Sequence, residues 1–366
     1  MEFKKYKMED ISTFSQGKQV EIENQYTKQF DNMKRFLRII DFTNPNESLR
    51  YVEDYGNRYY VTKEDLVMIR YGSQTCGKVV IGKEGIIANN MFKINLDNSI
   101  VLNRYAYYFL KQDLVYNYLR SSQNSSTMPS INFGILNKLE IEIPNLDNQR
   151  KIVKVLCNID QKIESNNKIN NNLYEEAVAL YKDKFKGIGQ GKKTIGDYII
   201  PKRGKNLLTR DAIDGDTPVV AGGIAPSAYH NQFNTKSPVI TISASGANAG
   251  YTNLWNIPVW ASDCSYIDDS ITKNVYFWYI VLKTRQNEIF DAQTGSAQPH
   301  IYPQHIAEMS IGELNIAEVE KYNNLVAPLF KMIGEKQKEN KKLSQLRDTL
   351  LPKLMNGEID LDNIEI

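Results

Sequence analysis

The strongest structural signal in this chain is the stretch Ile152-Val153-Lys154-Val155-Leu156-Cys157-Asn158-Ile159-Asp160-Gln161-Lys162-Ile163, whose seam of apolar residues recurs at gaps of four and three. Such spacing keeps one narrow apolar stripe of a helix directed at a partner helix. The pattern returns after a constant shift of 170 residues. The predicted seam positions are Ile152, Leu156, Ile159, Ile163, Asn170 and Leu173 in the first helix, and Tyr322, Val326, Leu329, Ile333, Asn340 and Leu343 in the second.

The same shift relates residues 102–187 to residues 272–357, so the sequence predicts two copies of one unit, each a globular domain that ends in a long helix. Gly187 and Gly357 follow the two helices at equivalent points, as glycine caps would. The predicted fold is therefore α+β, with two repeated domains joined by two long antiparallel coiled-coil helices. The predicted segments are a first domain at 1–145, a spacer helix at 146–187, a linker with the second domain at 188–315, and a second spacer helix with a tail at 316–366.

Polar residues interrupt both seams at the same heptad positions. Asn166 and Asn170 lie in the first seam, and Lys336 and Asn340 lie in the second. A buried amide at a seam position costs stability but fixes the register of the pairing. We therefore expect these residues to set how the two helices align.

Length, hydropathy and cysteine content limit the possible classes of protein. A chain of 366 residues has room for two domains. It contains no apolar run that could cross a bilayer, and its polar start lacks the apolar stretch of a signal peptide, so we expect a cytoplasmic protein without a membrane partner. Cys76, Cys157 and Cys264 are scattered, and the chain has three histidines. Neither a disulfide framework nor a metal site is predicted.

The charge balance does not mark either half as a nucleic-acid-binding module. Residues 1–149 carry 19 Lys and Arg against 18 acids, and residues 187–315 carry 10 against 11. DNA binding would thus depend on local clusters and on a partner that neutralises further phosphates. Clusters this small are often only solvated surface. The candidates are Lys34, Arg35 and Arg38 in the first half, and Lys192, Lys193, Lys202, Arg203, Lys205 and Arg210 in the second.

Short strands and glycine turns precede one long helix in each half. Strands are predicted at 66–70, 78–81 and 239–242, and the segments 88–90 and 261–263 fall at matching places. The aromatic stripes of the domain helices are predicted core, at Tyr105, Tyr108, Phe109, Val115 and Leu119 and at Val275, Trp278, Tyr279 and Ile289.

Two kinds of loop compete for a DNA-reading role. The first kind is the turn after the central strand of each half, and the second is the amide-rich loop after the domain helix. Their amides and hydroxyls can bond to base edges and phosphates, although ordinary turns remain the alternative. The candidates are Ser73, Gln74, Thr75, Gln123, Asn124 and Ser125 in the first half, and Ser245, Asn248, Thr294, Ser296 and Gln298 in the second.

No motif in the sequence supports catalysis by this chain. Residues 187–192 superficially resemble a nucleotide loop, but they follow a helix and are predicted to be a flexible linker. Glu339-Asn340-Lys341 could be half of a nuclease motif, but it lies within a heptad helix. Asn44-Pro45-Asn46 lacks the second proline and the aromatic residue of an amino-methyltransferase motif. We therefore predict a noncatalytic protein.

Two segments carry a family resemblance. Ile143-Pro144-Asn145-Leu146-Asp147-Asn148-Gln149-Arg150-Lys151-Ile152-Val153 resembles the central segment of type I restriction-modification specificity subunits, and residues 346–359 resemble their closing segment. One departure is Leu314-Asn315-Ile316-Ala317-Glu318-Val319-Glu320, which lacks the proline, glutamine and arginine of the first copy. The start of the second helix is less clearly marked for that reason.

The resemblance implies a noncatalytic subunit with two target-recognition domains, each reading one half of a bipartite asymmetric sequence in double-stranded DNA. The two helices would act as a ruler and dock two modification subunits, which carry S-adenosylmethionine. Restriction subunits, which use ATP and Mg²⁺, would complete a nuclease. Two alternatives remain open from the residues alone, namely a self-sufficient methyltransferase-like enzyme and a coiled-coil adaptor that never touches DNA.

Overall fold

A computed structural model describes residues 2–44, 47–72, 74–121, 129–295 and 299–359. The chain forms two compact units. The first unit comprises Met1–Gln161 with Leu343–Ile366, and the second comprises Lys162–Lys342. Each unit contains one globular domain and a part of each of the two long helices.

The globular part of the first unit is built from small sheets and short helices. Its strands are β1 (Phe3–Lys7), β2 (Ser12–Gln16), β3 (Met33–Leu37), β4 (Arg50–Glu53), β5 (Tyr60–Val61), β6 (Leu66–Ile69), β7 (Val79–Ile81), β8 (Gly85–Ile87), β9 (Met91–Leu96) and β10 (Glu140–Pro144). Its helices are α1 (Met8–Ile11), α2 (Ile39–Thr43), α3 (Asn103–Lys111), α4 (Asp113–Ser121) and α5 (Phe133–Asn137), and the long helix α6 (Leu146–Lys184) follows. The strand orders are β2-β9-β6-β7, β4-β3-β8-β5 and β1-β10.

The second unit repeats this plan. Its strands are β11 (Lys193–Thr194), β12 (Lys202–Arg203), β13 (Thr217–Val220), β14 (Ala228–His230), β15 (Val239–Ser243), β16 (Thr252–Trp255), β17 (Trp260–Ala261), β18 (Cys264–Asp268) and β19 (Ser310–Ile311). Its helices are α7 (Val275–Thr284), α8 (Gln286–Asp291) and α9 (Pro303–Ala307), and the long helix α10 (Ile316–Met355) follows. The strand orders are β12-β18-β15-β16, β14-β13-β17 and β11-β19.

The two globular parts therefore share one topology. Each has a four-stranded antiparallel sheet and a second sheet that contains one parallel pair, β3 with β8 in the first unit and β13 with β17 in the second. This second sheet has four strands in the first unit and three in the second. Each also pairs its first strand with the strand that precedes its long helix. This topology confirms the predicted α+β fold with two repeated domains.

The predicted strands agree with the observed ones to within a residue or two, but the prediction of one long domain helix was wrong. In each unit the chain breaks it into two helices, α3 and α4 around Gln112 and α7 and α8 around Arg285. The backbone of Gln112 is extended, with ψ 138°, and its carbonyl accepts the first hydrogen bond of α4 from Tyr116 at 2.9 Å. Gln112 thus ends one helix and starts the next. The aromatic stripes lie in the core as predicted, with Tyr105, Tyr108 and Trp278 at most 3% exposed.

Both long helices start with the same cap. Oδ1 of Asn145 accepts a hydrogen bond from the backbone N–H of Asn148 at 2.9 Å, and Oδ1 of Asn315 accepts one from Ala317 at 3.1 Å. An asparagine at this position satisfies amides that have no partner within the helix. The second long helix therefore starts as the first does, although the residues around Asn315 depart from the family pattern.

The glycines after the long helices have the left-handed backbone that a cap requires, with φ 77° at Gly187 and 72° at Gly357. After α10, the N–H of Glu358 donates to the carbonyl of Lys353 at 2.9 Å, which is the closing bond of a Schellman cap. Part of the segment 187–192, which the sequence predicts to be a linker, packs against residues 311–312. The N–H of Gly312 donates to the carbonyl of Ile188 at 2.7 Å, and Gly191 lies so close to Ile311 that it has no room for a β-carbon.

Seam residues lie in the cores of both units. Ile152 and Leu156 are fully buried in the first unit, and Tyr322 and Val326 are fully buried in the second. Leu173 and Leu329 pack against the second core. Within the second unit, hydrogen bonds join Asn166 to Asn340 and Ala177 to Tyr322, so α6 and α10 run antiparallel there. Within the first unit, Arg347 donates to Asp160. No helix among the described residues is both long and apolar enough to span a bilayer.

Candidate nucleic-acid interface

The two loops that compete in the sequence are neighbours in each unit. In the first unit, Tyr71 after β6 bridges to Ser130 before α5, and the N–H of Ile131 donates to the carbonyl of Arg70 at 3.0 Å. In the second unit, Ser245 after β15 bridges to His300 in the same way. We call the segments 70–72 and 74–76 with 129–131, and 244–250 with 293–295 and 299–300, the loop pairs. Both loops of a pair can therefore contribute to one surface.

The predicted loop residues that the structure describes lie on the loop pairs. Gln74, Asn248 and Thr294 are exposed, with side chains available to a ligand. Thr75 is half-buried, and its hydroxyl donates to the carbonyl of Tyr71 at 3.3 Å. Ser73, Gln123, Asn124, Ser125, Ser296 and Gln298 lie outside the described residues.

The basic cluster of the first half is largely neutralised within its own unit. Asp41 is 3% exposed, and Arg38 pairs with its carboxylate at 2.9 Å while Arg35 does so at 3.4 Å. Arg38 also pairs with Glu47 at 3.0 Å, and Lys34 lies 3.7 Å from Asp54. A guanidinium held by a buried carboxylate has a structural role here and offers little charge to a phosphate.

The basic cluster of the second half divides into paired and unpaired cations. Arg203 pairs with Asp263, whose other carboxylate oxygen accepts a hydrogen bond from the hydroxyl of Ser245. Arg203 thereby joins the second loop pair. Arg210 lies 3.7 Å from Asp211, whereas exposed Lys205 has no carboxylate within salt-bridge distance among the described residues.

Sequence reasoning missed a matching polar group in the first unit. Arg70 donates to Oε1 of Gln16 at 2.7 Å, and Gln16 donates to the carbonyl of Asn89 at 3.0 Å. The Arg70 guanidinium also lies over the ring of Tyr71, 5.1 Å from its centre. In the strand register, Gln16 of β2 lies opposite Phe92 of β9, and Arg203 of β12 lies opposite Ser265 of β18. Gln16 and Arg203 therefore hold equivalent positions in the two units. The two units thus carry different polar side chains at equivalent places beside their loop pairs.

The chemistry of this surface is that of hydrogen bonding. Amides, hydroxyls and guanidinium groups suit contacts with base edges and phosphates. Burial raises the pKa of the Cys264 thiol to about 12, so it stays protonated and is a poor nucleophile at neutral pH. Across the described part of the chain, no three histidine, cysteine or acidic side chains cluster as metal ligands.

Comparisons with known proteins identify relatives of this chain. The MjaIX specificity subunit of a type I restriction enzyme of Methanocaldococcus jannaschii is 26% identical over 329 residues, covering 79% of this chain and 76% of that protein. A putative type I specificity subunit of Mycoplasma genitalium, S.MgeORF438P, is 23% identical over 319 residues, covering 81% of this chain and 82% of that one.

A crystal structure of the S subunit of a type I restriction-modification system from M. genitalium matches this fold with a TM-score of 0.58 at 20% identity, over 96% of each chain. The sequence profile of the type I restriction modification DNA specificity domain matches residues 1–175. The resemblance found in the sequence is thus confirmed, and the matched residues 1–175 are similar to type I restriction modification DNA specificity domains.

Proposed function

We propose that this chain is the noncatalytic DNA-specificity subunit of a type I restriction-modification complex, and that each unit reads one half of a bipartite asymmetric site in double-stranded DNA. One observation carries the proposal, namely a repeated frame with different side chains at its loop pairs. Arg70 and Tyr71 in the first unit occupy the strand-end positions that Ala244 and Ser245 occupy in the second. Two domains that share a backbone fold but carry different side chains in their loops are suited to recognising two different DNA sequences.

The long helices are proposed to act as a ruler and as a docking surface for two modification subunits. The 39 residues of α6 correspond to about 58 Å of helix, which exceeds one turn of DNA. The antiparallel pairing of α6 with α10 stiffens this spacer, because each helix covers the apolar seam of the other.

The modification subunits would bring S-adenosylmethionine, and restriction subunits would bring ATP and Mg²⁺. The weak charge of this chain, +2 overall, supports a reader that shares phosphate contacts with such partners. We expect the complex to act in the cytoplasm.

Methylome sequencing tests the proposal. Cells with this chain and its modification subunits should methylate one bipartite motif, and cells without the chain should lose that methylation. Replacing residues 1–145 with the first domain of another family member should change only one half of the motif. Unchanged methylation without the chain would contradict the proposal, and a change in both halves after the swap would contradict its modular part.

A further inference from the structure

A glycine–lysine pair lies where the chain of each unit passes from one sheet to the other. The N–H of Gly17 donates to Met91 of β9 at 3.0 Å, and the N–H of Lys18 donates to Ile87 of β8 at 2.8 Å. In the second unit, Gly204 donates to Cys264 at 2.8 Å and Lys205 donates to Ala261 at 2.9 Å. Because these acceptors occupy matching strands, Lys18 and Lys205 are structurally equivalent.

The glycine is required by a close approach of two backbones. A β-carbon on Gly17 would lie 2.2 Å from the carbonyl oxygen of Ala88, and one on Gly204 would lie 2.3 Å from that of Ser262. Side chains cannot fit at such distances, so only glycine allows this crossing. The following lysine is therefore held at the same place in both units.

No carboxylate neutralises either lysine among the described residues, and Lys18 is half-buried while Lys205 is exposed. The Lys18 ammonium lies over the rings of Tyr55 and Tyr59, at 4.9 and 5.6 Å from their centres. Lys205 is exposed, and its carbonyl accepts a hydrogen bond from the indole N–H of Trp260 at 2.9 Å. Within the described ranges, neither ammonium lies within 4.0 Å of a carboxylate, in contrast to the arginines of the predicted clusters.

The lysines also adjoin the loop pairs. The carbonyl of Lys18 accepts a hydrogen bond from the N–H of Asn89 at 3.1 Å, and Gln16, two residues before Lys18, bonds to both Asn89 and Arg70. In the second unit, Arg203 stands two residues before Lys205 and pairs with Asp263, which bonds to Ser245. An available cation thus borders each proposed reading surface.

We propose that Lys18 and Lys205 are equivalent contacts to DNA backbone phosphates, one in each unit. They position each domain on the duplex while the loop pairs read the bases, because phosphate contacts fix register without carrying sequence information. This inference rests on the proposed function, since it requires that the chain bind DNA.

The test measures binding of the chain, assembled with its modification subunits, to two labelled duplexes across a range of salt concentrations. One duplex carries the motif found by methylome sequencing, and the other carries the same bases shuffled. The variants are Lys18→Ala and Lys205→Ala, with Lys18→Arg and Lys205→Arg as conservative forms. Lys63→Ala and Lys236→Ala are matched controls, because these exposed lysines stand three residues before β6 and β15, at the strand ends opposite the loop pairs.

Each alanine variant should weaken binding to both duplexes by a similar factor, about fivefold at physiological salt, and lower the slope of log affinity against log salt by about one. The arginine variants should retain the wild-type slope, and the controls should match the wild type.

Two results would overturn the inference while leaving the proposed function intact. One is a slope in Lys18→Ala and Lys205→Ala equal to that of the controls, and the other is a loss confined to the motif duplex, which would indicate a base contact. If the wild-type assembly bound both duplexes equally, the proposed function itself would fail.

Discussion

Asn166 and Asn340 face each other across the two long helices of the second unit, and Nδ2 of Asn166 donates to Oδ1 of Asn340 at 2.8 Å. Asn166 is completely buried and also donates to Glu339 at 3.1 Å, while Asn340 donates to Asn167 at 2.9 Å. These four residues form a polar layer in a seam that is otherwise mostly apolar. This register lets the buried Asn166 hydrogen-bond to Asn340, whereas a slip of one turn would separate these two residues.

Replacing Asn166 by alanine should lower the free energy of unfolding by about 1–3 kcal/mol, because partners in the layer lose a buried hydrogen bond. The double variant Asn166→Leu with Asn340→Leu should be at least as stable as the wild type, since an apolar pair needs no partners. Chemical denaturation of the full chain measures both, with exposed Asn172→Ala as the control. A double variant less stable than Asn166→Ala would contradict this account.

Acid should weaken the polar layer through Glu339. The hydrogen bond from Lys336 at 2.9 Å is the main reason why the pKa of Glu339 lies below its usual value of 4.5. Because the pKa of Glu339 is lower in the folded protein than in the unfolded chain, the ionised carboxylate stabilises the fold above pH 4.5. This stabilisation is lost as the pH falls through the pKa of the folded protein. When the pH is lowered from neutral to acidic, the denaturation midpoint should therefore fall less in Glu339→Gln than in the wild type. Equal acid sensitivity in both proteins would exclude this role.

Gln149 should be essential to the first unit. Its side chain is fully buried, accepts a hydrogen bond from the N–H of Leu102, and donates to the carbonyls of Ile100 and Pro144, all within 2.9 Å. Gln149→Leu leaves these backbone groups unsatisfied and should cost about 2–4 kcal/mol. Thermal unfolding of the full chain tests this, with exposed Asn158→Leu as the matched control. A loss no larger than the control's would show that water replaces the glutamine.

Exposed amides of the two loop pairs should act on separate half-sites. Gln74→Ala should weaken discrimination in the first half-site only, and Asn248→Ala in the second only, each by about 1–3 kcal/mol if the amide bonds an adenine in bidentate fashion. Methylation rates on motifs with single-base changes measure this, and each variant serves as the control for the other. Identical base preference in the variants and the wild type would assign these residues to ordinary turns.

Lengthening both helices together should lengthen the gap between the two half-sites. One heptad inserted after Asn170 and another after Lys336 preserve the seam, because these positions lie close together in the antiparallel pairing. Seven residues add about 10 Å, or about three base pairs at ~3.4 Å each. Methylome sequencing should find unchanged half-sites separated by a longer gap. An active variant with the original gap would show that the helices do not set the spacing.

The seam and the repeat were predictable from sequence, because helical periodicity is a local pattern and a duplication appears when two stretches of the chain are compared directly. Asn166 and Asn340 stood out as polar breaks in that pattern, and they meet in the structure. The break at Gln112 could not be foreseen from periodicity, since apolar spacing continues across it. The equivalence of Gly17 and Gly204 could not be recognised in the sequence, because these residues are 187 positions apart while the main repeat has a shift of 170.

The sequence alone was enough to predict the helix seams, the duplication and the family resemblance, because each is carried by short contiguous stretches that can be compared with one another. Which side chains share a surface depends on contacts between residues far apart in the chain. Isolated β-bridges bring Tyr71 to Ser130 and Ser245 to His300 across more than 50 residues, so the two competing loops form one pair in each unit. The tertiary structure also decided which cations remain available, because the buried carboxylate of Asp41 holds Arg35 and Arg38, whereas the crossing at Gly17 places Lys18 near no carboxylate among the described residues.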